Sequence, residues 1–202
     1  MQNRSVFLAS IILLLFSSFF SITFGQEKDK NGFIGIVIGP SFPIADFGDH
    51  SNINTNSGYA EKSRLDYMFD FGYRFGKYYG ISASYFVHQY DVDTSATDLS
   101  WGLGGIVAGP MLIIPLTDKF LFDLSLNFGY VTGDLSIDHD LIDELMGHGL
   151  GIVVKGLIRY NVLKRWCIIA ETSYVTTNQR LKIGTTKNLQ AINLNFGMGF
   201  RL

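Results

Sequence analysis

Six side chains able to bind cations or move protons crowd one short stretch: Asp138, His139, Asp140, Asp143, Glu144 and His148. Carboxylates and imidazoles at such spacing can hold a divalent cation. The stretch has neither EF-hand spacing nor a zinc signature, so a solvated acidic loop is expected and no metal site. His88 has the chemistry of a general base, but it stands on the polar face of an alternating segment and is expected to be a polar filler. Ser, His and Asp are scattered widely enough for a nucleophilic triad, yet no Ser sits in a nucleophile-elbow pattern. Gly102-Leu103-Gly104-Gly105 has the glycines of a phosphate loop without its strand–helix context. Cys167, the single cysteine, has no partner thiol, which excludes a disulfide framework and leaves packing as its role. No catalytic residue, cofactor or metal site is expected, and the chain is read as not being an enzyme.

The elements that carry these residues alternate with period two. Residues 32–39 form a first apolar strand. In 65–75, Leu65, Tyr67, Phe69, Phe71, Tyr73 and Phe75 fall on one face, and Asp66, Met68, Asp70, Gly72 and Arg74 on the other. Residues 79–90 put Tyr79, Ile81, Ala83, Tyr85 and Val87 together. Residues 99–116 are Gly-rich and their facing is ambiguous. In 120–131, Phe120, Phe122, Leu124, Leu126, Phe128 and Tyr130 oppose Asp123, Ser125, Asn127 and Gly129. In 150–162, Ile152, Val154, Ile158 and Tyr160 oppose Lys155 and Arg159. In 166–176, Ile168, Ala170 and Tyr174 oppose Glu171 and Ser173. Residues 191–202 set Ile192, Leu194, Phe196, Met198, Phe200 and Leu202 against Asn193, Asn195, Gly197, Gly199 and Arg201. Tight turns at 76–78, 117–119 and 163–165 rotate with long connections at 40–64, 91–98, 132–149 and 177–190. That rotation is the mark of an up-and-down meander with its short turns at one rim. Greek-key crossovers of an immunoglobulin-like sandwich would break it.

Composition chooses the solvent. Among 202 residues only 17% are charged, while Gly reaches 22, Phe 17 and Tyr 10. This apolar and aromatic content excludes disorder. A net charge of −2 offers no basic excess for nucleic acid. Arg4 followed by the uncharged run 6–24, with Thr23 and Gly25 before the polar run 26–31, reads as a secretory signal peptide over 1–25. Its removal takes away Arg4 and no acid, leaving residues 26–202 as the domain. After Gly25 no stretch reaches the roughly 18 apolar residues of a spanning helix. A membrane-spanning chain must then be a closed barrel, since lipid leaves open backbone unsatisfied. The polar face is rich in Gly, Ser and Asn, and the apolar face in aromatics near strand ends. Tyr67, Tyr73, Phe75, Tyr79, Phe120, Tyr130, Tyr160, Trp166, Tyr174 and Phe200 are expected to form two interfacial girdles. The fold expected is all-β, an eight-stranded antiparallel transmembrane barrel.

The whole mature chain resembles the small eight-stranded outer-membrane barrels of OmpA and OmpX type. More narrowly, it resembles the porin-like outer-membrane β-barrel domain family common in Bacteroidetes. The resemblance is carried by Gly39-Pro40-Ser41-Phe42-Pro43-Ile44 with Ala45-Asp46-Phe47-Gly48, by Asn56-Ser57-Gly58-Tyr59-Ala60, and by the Gly-rich end from Asn195 to Leu202. It implies export to the outer membrane of a Gram-negative cell, contact with outer-membrane lipid, and recognition of the last strand by the barrel-insertion machinery. Such barrels usually end in an aromatic residue; here Leu202 is last and Phe200 lies two before it on the same face.

Eight strands enclose a space that side chains can fill, and wide aqueous channels need roughly twice as many. With the polar faces inward, Asp66, Asp70, Asp123 and Glu171 balance Arg74, Lys155, Arg159 and Arg201. Buried charge is costly unless paired, so a charge-paired plug is expected in the lumen. The expected role is structural or adhesive, through long extracellular loops that meet an extracellular ligand. The alternatives are a narrow porin-like channel, a barrel enzyme acting on lipid, and a soluble periplasmic lipid-binding barrel. A clustered His and carboxylate site at one rim would favour the enzyme.

Overall fold

The computed structural model describes residues 31–49, 60, 65–92, 99–137, 140–141, 146–181 and 186–202. The signal peptide expected at 1–25 and the loop residues Asp138, His139, Asp143 and Glu144 lie outside the described residues. Eight strands form the wall: β1 (Gly32–Gly39), β2 (Leu65–Arg74), β3 (Tyr79–Asp91), β4 (Leu99–Pro115), β5 (Phe120–Ile137), β6 (Gly147–Asn161), β7 (Trp166–Leu181) and β8 (Thr186–Arg201). Each pairs antiparallel with the next in sequence. β1 also pairs with β8, Ile34 opposite Phe200 and Ile38 opposite Phe196, which closes the ring. A short strand, Ser41–Pro43, continues the seam against β8, with Phe42 opposite Ile192. Another, Asp140–Leu141, pairs with β5.

The alternation in the sequence becomes the inside and outside of this wall. Along β5, Asp123, Ser125 and Asn127 are buried in the lumen, while Leu124, Leu126 and Phe128 are exposed on the outer surface. Ile106 is 65% exposed and Leu150 68%, and the other walls present Ile34, Phe69, Ile158, Ile168 and Phe196 in the same way. A continuous belt of large apolar side chains has no place in water. It is the lipid-facing surface of a transmembrane β-barrel. On β5 the belt runs over residues 120–130, matching the roughly 9–11 residues that a tilted strand needs to cross hydrocarbon. Phe120 stacks near Tyr160, centroids 4.6 Å apart, and Trp166 meets Phe200 edge-on at 5.4 Å, along the rim of the short turns.

Those three turns are built alike. The N–H groups of Phe75 and Gly76 donate to Tyr79 O, those of Leu116 and Thr117 to Phe120 O, and those of Val162 and Leu163 to Trp166 O. The connections at the opposite rim differ from the sequence reading. β5 continues to Ile137, β6 begins at Gly147, β7 reaches Leu181 and β8 begins at Thr186, so the expected long loops at 132–149 and 177–190 are mostly ladder. Beyond hydrocarbon the outer face turns polar at Thr132, His148, Thr176 and Gln190, so the alternation fades while backbone pairing persists. β4 resolves with Trp101, Leu103, Val107, Met111 and Ile113 inward. Glycine is sterically required at several points of the wall, Gly72 and Gly197 among them. At Gly72 the Phe33 ring lies where a Cβ would stand, and at Gly197 the carbonyl of Ile36 does.

Candidate functional site in the barrel lumen

The lumen is a stack of polar tiers separated by apolar side chains. The lowest tier lies near the short turns. Arg159, on β6, donates from Nε to Asp123 Oδ2 at 2.6 Å and from Nη2 to Asp123 Oδ1 at 3.1 Å. The guanidinium lies over the Phe33 ring, 4.2 Å from its centroid. A two-pronged pair of this kind satisfies both partners where water is excluded. Leu157, Ile113, Ile169 and Cys167 pack in the same lower half of the lumen, all buried.

The middle tier centres on Lys155, also on β6. Its ammonium donates to Asp70 Oδ1 and to Ser84 Oγ at 2.7 Å, and lies 3.6 Å from Glu171 Oε2. Ser84 donates to Asp70 at 2.7 Å. Beside it, Ser82 donates to Asn127 Oδ1 at 2.6 Å and Asn127 donates on to Ser125 at 3.1 Å. The strand register brings the parts together: Asp70 stands opposite Ser84, and Lys155 opposite both Ser125 and Ser173. Met68, Phe86, Val107, Val153 and Val37 fill the space above.

In the upper tier, His88 Nε2 lies 2.8 Å from Asp66 Oδ1, and both side chains are fully buried. His88 Nδ1 is 3.1 Å from the Tyr90 hydroxyl, which is 2.7 Å from Ser41 Oγ. Ser41 donates to Asn193 Oδ1, and Asn193 donates to Ser173 at 2.9 Å. Because Ser41 gives its hydrogen to Asn193, Tyr90 must donate to Ser41. The Tyr90 hydroxyl then accepts from His88 Nδ1, and His88 Nε2 faces Asp66.

Above this chain the mouth is stoppered. A single 3-10 turn, Ala45–Phe47, drops Phe47 into the opening, 1% exposed. Its ring meets Tyr90 edge-on at 5.0 Å and Trp101 at 6.1 Å. Ile44 N–H donates to Gln190 O at 2.9 Å and Ala60 N–H to Phe47 O at 3.0 Å, tying the turn to β8 and to the far end of the first connection. Ala45 adopts φ 52°, an uncommon conformation for a residue with a side chain.

Of the eight residues expected to form the interior network, Asp66, Asp70, Asp123, Lys155, Arg159 and Glu171 are buried in the tiers. Arg74 and Arg201 stand instead at the lower rim, partly exposed. Arg74 Nη2 donates to Asn31 Oδ1 at 3.4 Å. Asp66 lies against His88 rather than Lys or Arg. His88, expected to be a polar filler, is fully buried between Asp66 and Tyr90. Sequence reasoning missed Tyr90, Ser41, Asn193 and the Phe47 stopper. The parity of Phe86, His88 and Tyr90 was available to place two of them together; nothing in the sequence joins Ser41 to β8. Of the residues singled out for metal binding, His148 stacks on Tyr130, centroids 5.8 Å apart, at the outer surface. No group of three metal-ligating side chains occurs among the described residues.

No protein-family model matches the sequence, and no curated protein matches it. The fold is shared with solved structures. Neisserial surface protein A is 13% identical, covering 85% of this chain and 97% of that one, with a TM-score of 0.59. Ail, the attachment invasion locus protein of Yersinia pestis, is 14% identical over 85% of this chain and 99% of that one, with a TM-score of 0.51. A second structure of Ail, in complex with the heparin analogue sucrose octasulfate, gives 0.52 at the same identity and coverage. At this identity the likeness is one of fold.

Proposed function

We propose that this chain, which has the fold of the small eight-stranded outer-membrane β-barrels, is a sealed outer-membrane protein that acts through its long-loop rim. The observation that carries this reading is the contrast between the two ends of the lumen and the outside of the wall. Paired charged and polar side chains occupy the lumen in three tiers and Phe47 stoppers it. Meanwhile β4 to β8 continue past the apolar belt and present Thr132, Asp134, Ser136, His148, Asn178 and Arg180 on their outer faces. A barrel that spent its interior on transport would not fill it, and a purely structural one would not need strands longer than the membrane. The extension is a platform for contact with a surface ligand.

The same reading places the short turns in the periplasm and the long-loop rim outside the cell, after export through the signal peptide at 1–25. The last strand, ending Phe200-Arg201-Leu202, is the segment offered to the insertion machinery. That one structural neighbour is an attachment invasion locus protein fits an adhesive role. The clustering of Asp66 and His88 is the feature that would favour a barrel enzyme, and Ser41 lies on the same chain of hydrogen bonds. All three are fully buried beneath Phe47, which supports a structural use of the cluster.

Partner capture on purified barrel tests the proposal. The intact protein is compared with a variant whose hairpins β5–β6 and β7–β8 are cut back to the belt. Binding to host-surface glycans or proteins that disappears on trimming is expected; equal binding by both would place the contact elsewhere.

A further inference from the structure

On the outer surface, the wall has a dent at the upper edge of the apolar belt. It is a groove of about 250 Å³ lined by Tyr85, Gly104, Gly105, Ile106, Tyr130 and Thr132. The register explains its shape. Tyr85, Ile106 and Tyr130 stand side by side across β3, β4 and β5, and in the next outward row Gly104 stands between Val87 and Thr132. Tyr85, Ile106 and Tyr130 therefore edge a floor that carries no side chain at Gly104.

Gly104 has no steric reason of its own to be glycine. A Cβ there would meet Phe86 O at 3.4 Å and Val87 Cγ2 at 3.8 Å, ordinary contact distances. Outward Gly102, two residues on, differs: a Cβ there would run into the Asp134 carboxylate at 2.7 Å. The polar atom on the groove floor is already used, since Thr132 Oγ1 donates to Gly104 O at 3.2 Å. What remains to be met in the groove is apolar surface.

The position selects the occupant. The groove opens on the hydrocarbon-facing belt and is continuous with it, and the outward positions above it, Gln89 and Asp134, are polar. We propose that it seats the headgroup end of one acyl chain of a lipid in the leaflet nearer the long loops, with the first methylenes over Gly104 at the edge of the belt and the chain continuing past Tyr85, Ile106 and Tyr130. The proposal rests on the membrane reading of the barrel. A Leu at position 104 would displace about two methylenes from the groove, worth roughly a tenfold loss in affinity.

The test uses the full chain inserted in vesicles of palmitoyl-oleoyl phosphatidylethanolamine and phosphatidylglycerol, extracted gently and weighed intact by native mass spectrometry. The unaltered protein should retain a lipid that Gly104→Leu holds about tenfold more weakly, with Gly104→Ala between them. Ala170→Leu, on the outer face of β7, should retain it like the unaltered protein. Equal retention by Gly104→Leu, or no retained lipid in the unaltered barrel, overturns the proposal. A dimer that Gly104→Leu dissolves would overturn it too, by giving the groove to a second copy. Protease resistance in the same vesicles reports insertion separately. Digestion of the unaltered belt there would strike the membrane reading itself.

Discussion

The ring of Phe47 stands edge-on to the ring of Tyr90, their centroids 5.0 Å apart and their planes at 82°. Through that contact the first connection closes the mouth of the barrel directly above the Asp66–His88 pair. The Tyr90 hydroxyl reaches down to His88 and across to Ser41, so one side chain holds the stopper and the uppermost charge tier together.

Phe47→Ala should therefore open the mouth. Removing a buried Phe costs about 3 kcal/mol where the site cannot collapse. The amide protons of Tyr90 and Trp101 should exchange faster than in the unaltered protein, while those of Leu124 and Ile158 in the belt should not. Unchanged exchange at Tyr90 would show that the stopper does not seal the tier below.

The Asp123–Arg159 pair offers a test of the charge tiers. Arg159→Met alone leaves a buried carboxylate without its partner and should destabilise the barrel by about 3–5 kcal/mol in urea titrations in vesicles. Adding Asp123→Leu removes the orphaned charge, and most of that loss should be recovered. Strictly additive losses would mean that the two side chains do not depend on one another.

The belt has an upper edge between Tyr130 and Thr132. Leu124→Arg should cost about 2–4 kcal/mol, because the side chain meets hydrocarbon near mid-membrane. Thr132→Arg, on the same face of the same strand, should cost about 0–1 kcal/mol. Equal penalties at the two positions would move the edge and remove the extramembrane platform.

Asp134 lies on that platform with its carboxylate over Gly102, and burial pushes its titration above the usual carboxylate range. A raised folded-state value means that its contribution is fully present below the ordinary carboxylate range and is lost as pH rises through the folded value. Asp134→Asn should then protect the upper β4–β5 ladder from exchange at neutral pH, and the difference should shrink as the solution is made acidic. The opposite trend would mean that a cation holds the carboxylate.

Much of this architecture was legible in the sequence, and the reasons it stopped being legible are physical. Inside hydrocarbon a side chain must be apolar on one face and can be polar only on the other, so β2, β5 and β8 announced both their pleat and their orientation. β4 did not, because Gly102, Gly104, Gly109 and Pro110 carry no such label. Past Tyr130 and Leu150 the solvent on both sides is aqueous or protein, and the hairpins ran on where the alternation ended. Parity named the inward charges but not their depth. Arg74 and Arg201 share a face with Asp70 and Asn195, yet lie at the rim. The His88–Tyr90–Ser41–Asn193 chain needed the seam between Ser41–Pro43 and β8, a contact between distant parts of the sequence that no local pattern records.

The central claim is that the lumen is sealed, and single-channel recording in planar bilayers tests it most directly. The unaltered protein, inserted with its orientation checked by protease, should be silent or show only rare, small openings, and Phe47→Ala combined with Arg159→Ala should raise their frequency. A large, steady conductance from the unaltered barrel would contradict the account.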